Sequence, residues 1–334
     1  MDENLLTYKK SFSSIGWSYF VFSIIALFLQ VFAIVFANVV HPGSEDMQTI
    51  LAAVSLYLFG TVILWFTFSV KKNPVQVPAK SRVSFTELVK IFFMCYALLI
   101  ISNVIGSLIT TAIGILKGTP LVNPLETAIY DVNPWVNFLT AVVMAPIFEE
   151  IVFRRFLVDR VLPFGEIPAI LLSGFMFGLF HGNLFQFPYA FALGAFLAYI
   201  YIRSGRMWIC MLMHALVNFM GSIVTIWILK VSNFDELTDL IAETGSNYLE
   251  NIDGTLHLFS QPEFLALVLY EAVILIIVVI GCILWILNFT KIKKSIQTPS
   301  LLPKGKGPGI ALCNWGMMLY MVYWGLNILL MTLL

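Results

Sequence analysis

Apolar runs long enough to cross a lipid bilayer follow one another along nearly the whole of this 334-residue chain. A helix needs roughly 20 apolar residues to span the hydrocarbon. Runs of that kind lie at about 15–38, 49–70, 88–116, 134–156, 167–183, 186–202, 207–229, 264–289 and 308–333. With 60% hydrophobic and 11% charged residues and a mean hydropathy of +0.91, lipid is the expected solvent. The sequence therefore predicts an all-α fold, a multi-pass transmembrane helix bundle of eight or nine spans around a polar cavity. It reads as a single membrane domain over 1–334, with a core at 84–230 and two C-terminal spans in 264–334. Lipid is an expected partner, and no feature points to nucleic acid.

Charge placement predicts the orientation. With the N-terminus in the cytoplasm and strict alternation, all of the 19 Lys and Arg residues except Lys117 and Lys230 fall on the cytoplasmic side. The opposite segment at 231–263 is acidic, with Asp235, Glu236, Asp239, Glu243, Glu250, Asp253 and Glu263. Within it, Phe234, Leu237 and Ile241 follow Ser232 or Asn233 at helical spacing, which predicts a short amphipathic helix on the outer surface. The first apolar run is long enough to span and has no evident small-residue cleavage site, so it is expected to remain as the first helix.

Local signals punctuate the spans. A Ser84-x-x-Glu87 capping box precedes the third, and Pro303, Gly305, Gly307, Pro308 and Gly309 lead into the last. Cys95, Cys210, Cys282 and Cys313 lie on different spans without metal-knot spacing, and core packing is expected for each. Gly174, Gly178 and Gly182 recur every fourth residue, as do Ala190, Gly194 and Ala198, which predicts close packing of the fifth and sixth spans.

Against this apolar background stand polar residues that a membrane interior disfavours unless they face a partner or water. Glu149 and Glu150 are followed by Arg154; His181 ends Phe177-x-x-x-His181; and His214 precedes Asn218 by four residues. Residues four apart share a helix face, so Glu150 and Arg154 are expected to pair, while Glu149 points about 100° away and remains available. A carboxylate in an apolar cavity is a candidate general base, and the neighbouring pair a candidate support for it. His214 and Asn218 share one face and could donate to the oxygen that becomes negative when water attacks an amide. Pro146, one turn before Glu149, removes a helix hydrogen bond and predicts a kink that would open the wall beside the carboxylates.

Glu149-Glu150-x-x-x-Arg154, Phe177-x-x-x-His181 and His214-x-x-x-Asn218, in that order on successive spans, resemble the signature of the CAAX protease and bacteriocin-processing family, called CPBP or Abi. The three motifs occupy roughly 141–221, and Arg155 stands where many relatives have a small residue. The resemblance implies an intramembrane endopeptidase in the cell membrane acting on a membrane-associated or prenylated peptide or protein. By motif position, Glu149 would activate the water, His181 would help hold it, and His214 with Asn218 would stabilise the oxyanion, with Glu150 and Arg154 in support.

The family is generally classed as metalloprotease. Glu149, His181 and His214 could supply a divalent metal such as zinc with three ligands and an open position. There is no His-Glu-x-x-His helix, Asn is a poor zinc ligand, and the same residues serve a metal-free water, which is the favoured reading. Two other classes use the same residues. One is a non-catalytic membrane protein of the bacteriocin-immunity type, and the other a proton-coupled transporter relaying through Glu149, Glu150, Glu271, His181 and His214. Transport is disfavoured because the two halves show no inverted repeat.

Depth poses a conflict. At about 1.5 Å per residue, Glu149 and His214 lie near 10 Å from the expected cytoplasmic ends of their spans and His181 nearer 20 Å, so the three meet only if a span starts inside the membrane, is tilted, or has different ends. The depths of Glu149 and His214 predict a cavity opening to the cytoplasm.

Overall fold

Ten helices, α1 to α10, make up a computed structural model that describes residues 3–71, 73–123, 132–232, 261–296 and 299–333. They are α1 (Glu3–Val40), α2 (Glu45–Val70), α3 (Phe85–Lys117), α4 (Pro134–Phe164), α5 (Glu166–Phe180), α6 (Phe187–Ser204), α7 (Met207–Val231), α8 (Pro262–Ser295), α9 (Gly307–Leu312) and α10 (Trp315–Leu333). The described residues contain no strand. Among the described residues, seven helices are long and apolar enough to cross a membrane: α1, α2, α3, α4, α7, α8 and α10. The protein is thus an all-α, multi-pass membrane bundle with a span count close to the eight or nine expected. The two shortfalls are α5, of 15 residues, and α6, which carries Tyr189, Tyr199, Tyr201 and Arg203 among its apolar residues.

Helix ends follow local chemistry. Ser84 and Glu87 close the expected capping box at the start of α3, Ser84 N donating to Glu87 Oε2 at 2.8 Å and Glu87 N to Ser84 Oγ at 3.2 Å. The last expected span, 308–333, is broken in two. Asn314 donates to the carbonyls of Ile310 and Ala311, closing α9, and its Oδ1 accepts from Met317 N to open α10. Cys313 lies at this break and is exposed, which corrects the expectation of core packing; Cys282 is half-buried, and only Cys95 and Cys210 are buried as expected. The amphipathic helix expected near 232–241 lies outside the described residues.

α4 also differs from expectation. It runs to Phe164, eight residues beyond the expected end at 156, and it passes Pro146 without interruption. The turn before the proline is widened to π geometry over Phe138–Met144, so that Ala145 N bonds back five residues to Thr140 O. A wide turn leaves carbonyls unpaired, which accommodates the ring and the missing N–H of Pro146. The longer α4 also eases the conflict of depth. Glu149 now stands about 22 Å from the end of α4, level with His181 at the far end of the 15-residue α5.

Small residues set the closest approaches. On α5, a Cβ at Gly174 would come within 2.8 Å of Ala195 Cβ on α6, and one at Gly194 would come within 3.2 Å of Gly174 Cα, so these two glycines face each other. Gly182, the third of the α5 row, lies past the helix end with φ +66°. α1 and α10 run side by side in the same direction, Gly16 and Gly316 packing backbone to backbone, with Trp324 Nε1 on Ser23 Oγ further along. From this pair Tyr19 donates to Val152 O on α4 at 2.5 Å and Tyr320 to Met176 O on α5 at 2.8 Å. The first and last spans therefore hold the two helices that carry the polar motifs.

Backbone bonds gather the basic connections at one end of the bundle. Gln76 N bonds Asp159 O, Ser81 N bonds Ser204 O and Leu301 N bonds Phe164 O. Substituting Gly316 with Leu forces a side chain into the backbone of α1. Overpacking of this kind costs about 1–3 kcal/mol, and a thermal melt in detergent is expected to show a midpoint several degrees below that of the parent.

Candidate active site

Three helices meet at a polar cluster in the middle of the bundle. α4 brings Glu149, Glu150 and Arg154; α5 brings Ser173, Phe177 and, at its C-terminal end, His181; α7 brings His214 and Asn218. Glu150 and Arg154 are completely buried, and Glu149 and His214 are 7% and 4% exposed.

The expected Glu150–Arg154 pair forms in a forked geometry, Nε to Oε2 at 2.8 Å and Nη2 to Oε1 at 3.2 Å. The remaining guanidinium nitrogen, Nη1, donates to Ser173 Oγ at 2.8 Å, and Ser173 in turn donates to Phe153 O at 3.1 Å. That carbonyl lies in a second π-widened stretch of α4, Ile151–Val158. The Arg154 guanidinium also lies over the Phe177 ring, 5.4 Å from its centroid.

His214 bridges the two glutamates. Its Nδ1 is 3.0 Å from Glu150 Oε1 and its Nε2 is 3.8 Å from Glu149 Oε2. With Nδ1 on Glu150, the other ring nitrogen, Nε2, is turned towards Glu149. The chain Ser173, Arg154, Glu150, His214 thus ends at a single ring edge beside the second carboxylate.

His181 approaches from α5. Its Nδ1 is 2.9 Å from Phe177 O, one turn back, which leaves Nε2 as its other polar edge. The Phe177 ring separates the two imidazoles, with centroids 4.8 Å from His181 and 5.8 Å from His214, both edge to face. His181 lies within electrostatic range of both Glu149 and His214. Asn218 has one amide hydrogen committed: its Nδ2 donates at 2.8 Å to Ala141 O, in the first widened turn of α4.

Glu149 is not without a partner. Tyr57 on α2 donates to Glu149 Oε1 at 2.9 Å, and its ring stacks on Phe148 at 6.1 Å. Tyr57 and Ser173 escaped the sequence reading. The signal for Tyr57 was a polar aromatic in mid-span, four residues before Thr61; for Ser173, a hydroxyl beside the glycine row. Tyr57 too sits in a π-widened stretch, Val54–Phe59, and such turns recur at functional sites.

A metal would need at least three of these donors together. Among the described residues no group of three or more His, Cys, Asp or Glu side chains is placed to hold a metal ion, the set Glu149, His181 and His214 included.

Fold and site together define a class, a helical membrane protein with an acid–imidazole cluster buried between spans. Residues 131–220 match the model of the Rce1-like family, type II CAAX prenyl endopeptidase. That range contains every polar motif residue from Glu149 to Asn218, so the match falls on the same segment as the resemblance carried by the motifs. A similar curated protein is human CAAX prenyl protease 2, 31% identical over 107 residues, an alignment covering 26% of this chain and 32% of the human protein. The chain therefore matches about a third of that relative's length. No solved structure matches this chain.

Arg154→Ala would leave the Glu150 carboxylate buried without its counter-charge. Breaking a buried pair costs about 3–5 kcal/mol, so this variant is expected to lose most of its thermal stability in detergent. Ser173→Ala, which removes one hydrogen bond from the same guanidinium, is expected to cost about 1–3 kcal/mol in the same melt.

Proposed function

We propose that this chain is an intramembrane endopeptidase of the CAAX prenyl protease type, hydrolysing a peptide bond of a membrane-associated or prenylated substrate through a water activated by Glu149. The observation that carries the proposal is His214 held by Glu150 with its free edge on Glu149, inside the segment that matches the peptidase family. A carboxylate with an imidazole 3.8 Å away supplies both halves of amide hydrolysis.

In the proposed cycle, Glu149 takes a proton from water and the water oxygen attacks the carbonyl carbon. Charge then develops on the carbonyl oxygen, and the Nε2–H of protonated His214, its cation stabilised by Glu150, donates to it. His181, its Nδ1 on Phe177 O, turns Nε2 to the attacking water. Collapse breaks the C–N bond as Glu149 returns its proton to the leaving amine. Asn218 spends one amide hydrogen on Ala141 O, which locks α7 to α4, and the second is its contribution to the oxyanion. In this proposal the basic end of the bundle faces the cytoplasm, and the substrate enters from that side.

The test is turnover of a prenylated peptide with a CAAX-type C-terminus by purified protein in detergent, beside the same peptide without the prenyl group. Glu149→Gln is expected to lower kcat by at least about a hundredfold, and His181→Ala and His214→Ala are expected to lower it comparably, while a chelator leaves turnover intact. Full turnover by Glu149→Gln would remove the general base and the proposal with it. Full chelator sensitivity would assign the water to a metal instead.

A further inference from the structure

At the end of the bundle that carries the basic connections, a cavity of about 290 Å³ opens between the start of α1 and the turn that leads into α9. Small-ligand sites begin at about that size, roughly 300 Å³. Leu5 and Lys9 line it from α1, Lys306 and Ile310 from the other side, with Gly305 and Gly309 between. No acidic side chain lines it. Both lysines are exposed, and among the described residues neither takes part in an ion pair. Two ammonium groups and two aliphatic side chains therefore share one opening that holds no counter-charge.

The level of this cavity in the bundle follows from its neighbours. Gly16 and Gly316 meet backbone to backbone, and the residues beside them, Trp17 and Trp315, are exposed. Exposed tryptophans on membrane spans mark the layer where hydrocarbon gives way to headgroups. Lys9 precedes Trp17 by about 12 Å along the axis of α1, a distance that the long stem of a lysine partly spans back. Lys306 likewise precedes Trp315, across α9. Both charges thus stand on the water side of the aromatic level, beside the phosphates of the leaflet. The turn leaves the cavity open. Gly305 has φ +76°, which favours glycine, and a Cβ at Gly309, inside α9, would meet nothing within 4 Å. Alanine is the better helix former at such a position, and no neighbour excludes a side chain there, so the space beside Gly309 belongs to the cavity.

We propose that this cavity binds the headgroup of an anionic phospholipid, its phosphodiester accepting hydrogen bonds from Lys9 and Lys306 and its headgroup carbons lying against Leu5 and Ile310. Charge decides the class. A basic pocket at the membrane surface attracts an anionic headgroup, whereas the ammonium of a zwitterionic headgroup would need an acid that the lining does not hold. The bound lipid joins the start of α1 to the turn before α10. These are the two helices that hold α4 through Tyr19 and α5 through Tyr320, so binding stabilises the fold whatever reaction the bundle carries out.

The test follows the thermal midpoint of the full chain in a neutral detergent as phosphatidylglycerol, phosphatidylcholine or free glycerol phosphate is added. Phosphatidylglycerol is expected to raise the midpoint by several degrees, and the other two to leave it in place. Lys9→Gln/Lys306→Gln is expected to need about tenfold more phosphatidylglycerol for the same rise, and so is Gly309→Leu, whose side chain enters the open space. Lys10→Gln/Lys304→Gln removes the same charge from residues that do not line the cavity and is expected to respond like the parent. Each variant is compared with itself without lipid, so that any change in its own stability does not enter. No rise with phosphatidylglycerol, an equal rise with phosphatidylcholine, a parental response in Lys9→Gln/Lys306→Gln or Gly309→Leu, or an equal loss in Lys10→Gln/Lys304→Gln would overturn the site. A rise with glycerol phosphate alone would overturn the lipid and assign the cavity to a soluble phosphate.

Discussion

A guanidinium and a carboxylate with no solvent contact, in the middle of a bundle whose outer surface is hydrocarbon, set the terms for everything around them. Neither Arg154 nor Glu150 can be left without the other, because an unpaired charge in such surroundings is far costlier than any single packing contact. Their forked contact occupies one face of α4. Ser173 on α5 takes the spare guanidinium nitrogen and His214 on α7 takes the spare capacity of the carboxylate. Three helices are thus tied together by one ion pair, and the ring that completes the tie is the one facing Glu149. The stabilising network therefore ends in one of the candidate catalytic groups, His214.

Widened helical turns do the complementary work on the backbone. Carbonyls within these widened stretches accept bonds from side chains of other helices near the site. Ala141 O accepts from Asn218, Val152 O from Tyr19, and Phe153 O from Ser173. In lipid, a backbone carbonyl outside the helical ladder must find such a donor. The donors therefore fix how α1, α5 and α7 sit on α4. The same kind of turn on α2 carries Tyr57 to Glu149, so a phenol bonds one oxygen of the acid and an imidazole faces the other.

The sequence makes the spans legible because hydrocarbon thickness imposes their length, and it makes the Glu150–Arg154 pair legible because a four-residue spacing puts both on one face. It also shows Glu149, His181 and His214 as anomalies in apolar runs, and the resemblance they carry agrees with the family match over 131–220. Three features were not legible. The true end of α4 lies past 156 because Arg155 is paired with Asp159 and Arg160 lies over the Phe68 ring, contacts that the linear pattern does not show. The break at Cys313–Asn314 depends on one side chain capping in both directions. Tyr57 reaches the site through tertiary packing of α2 on α4, since its partner lies 92 residues away.

The central claim, that these groups surround one hydrolytic centre, is tested most directly by an experimental structure of the Glu149→Gln protein with a bound substrate peptide. The account predicts a scissile carbonyl whose oxygen lies within hydrogen-bond distance of His214 Nε2, about 2.7–3.1 Å, with its carbon one water away from residue 149. A peptide seated in the bundle with its scissile bond far from both residues would contradict it.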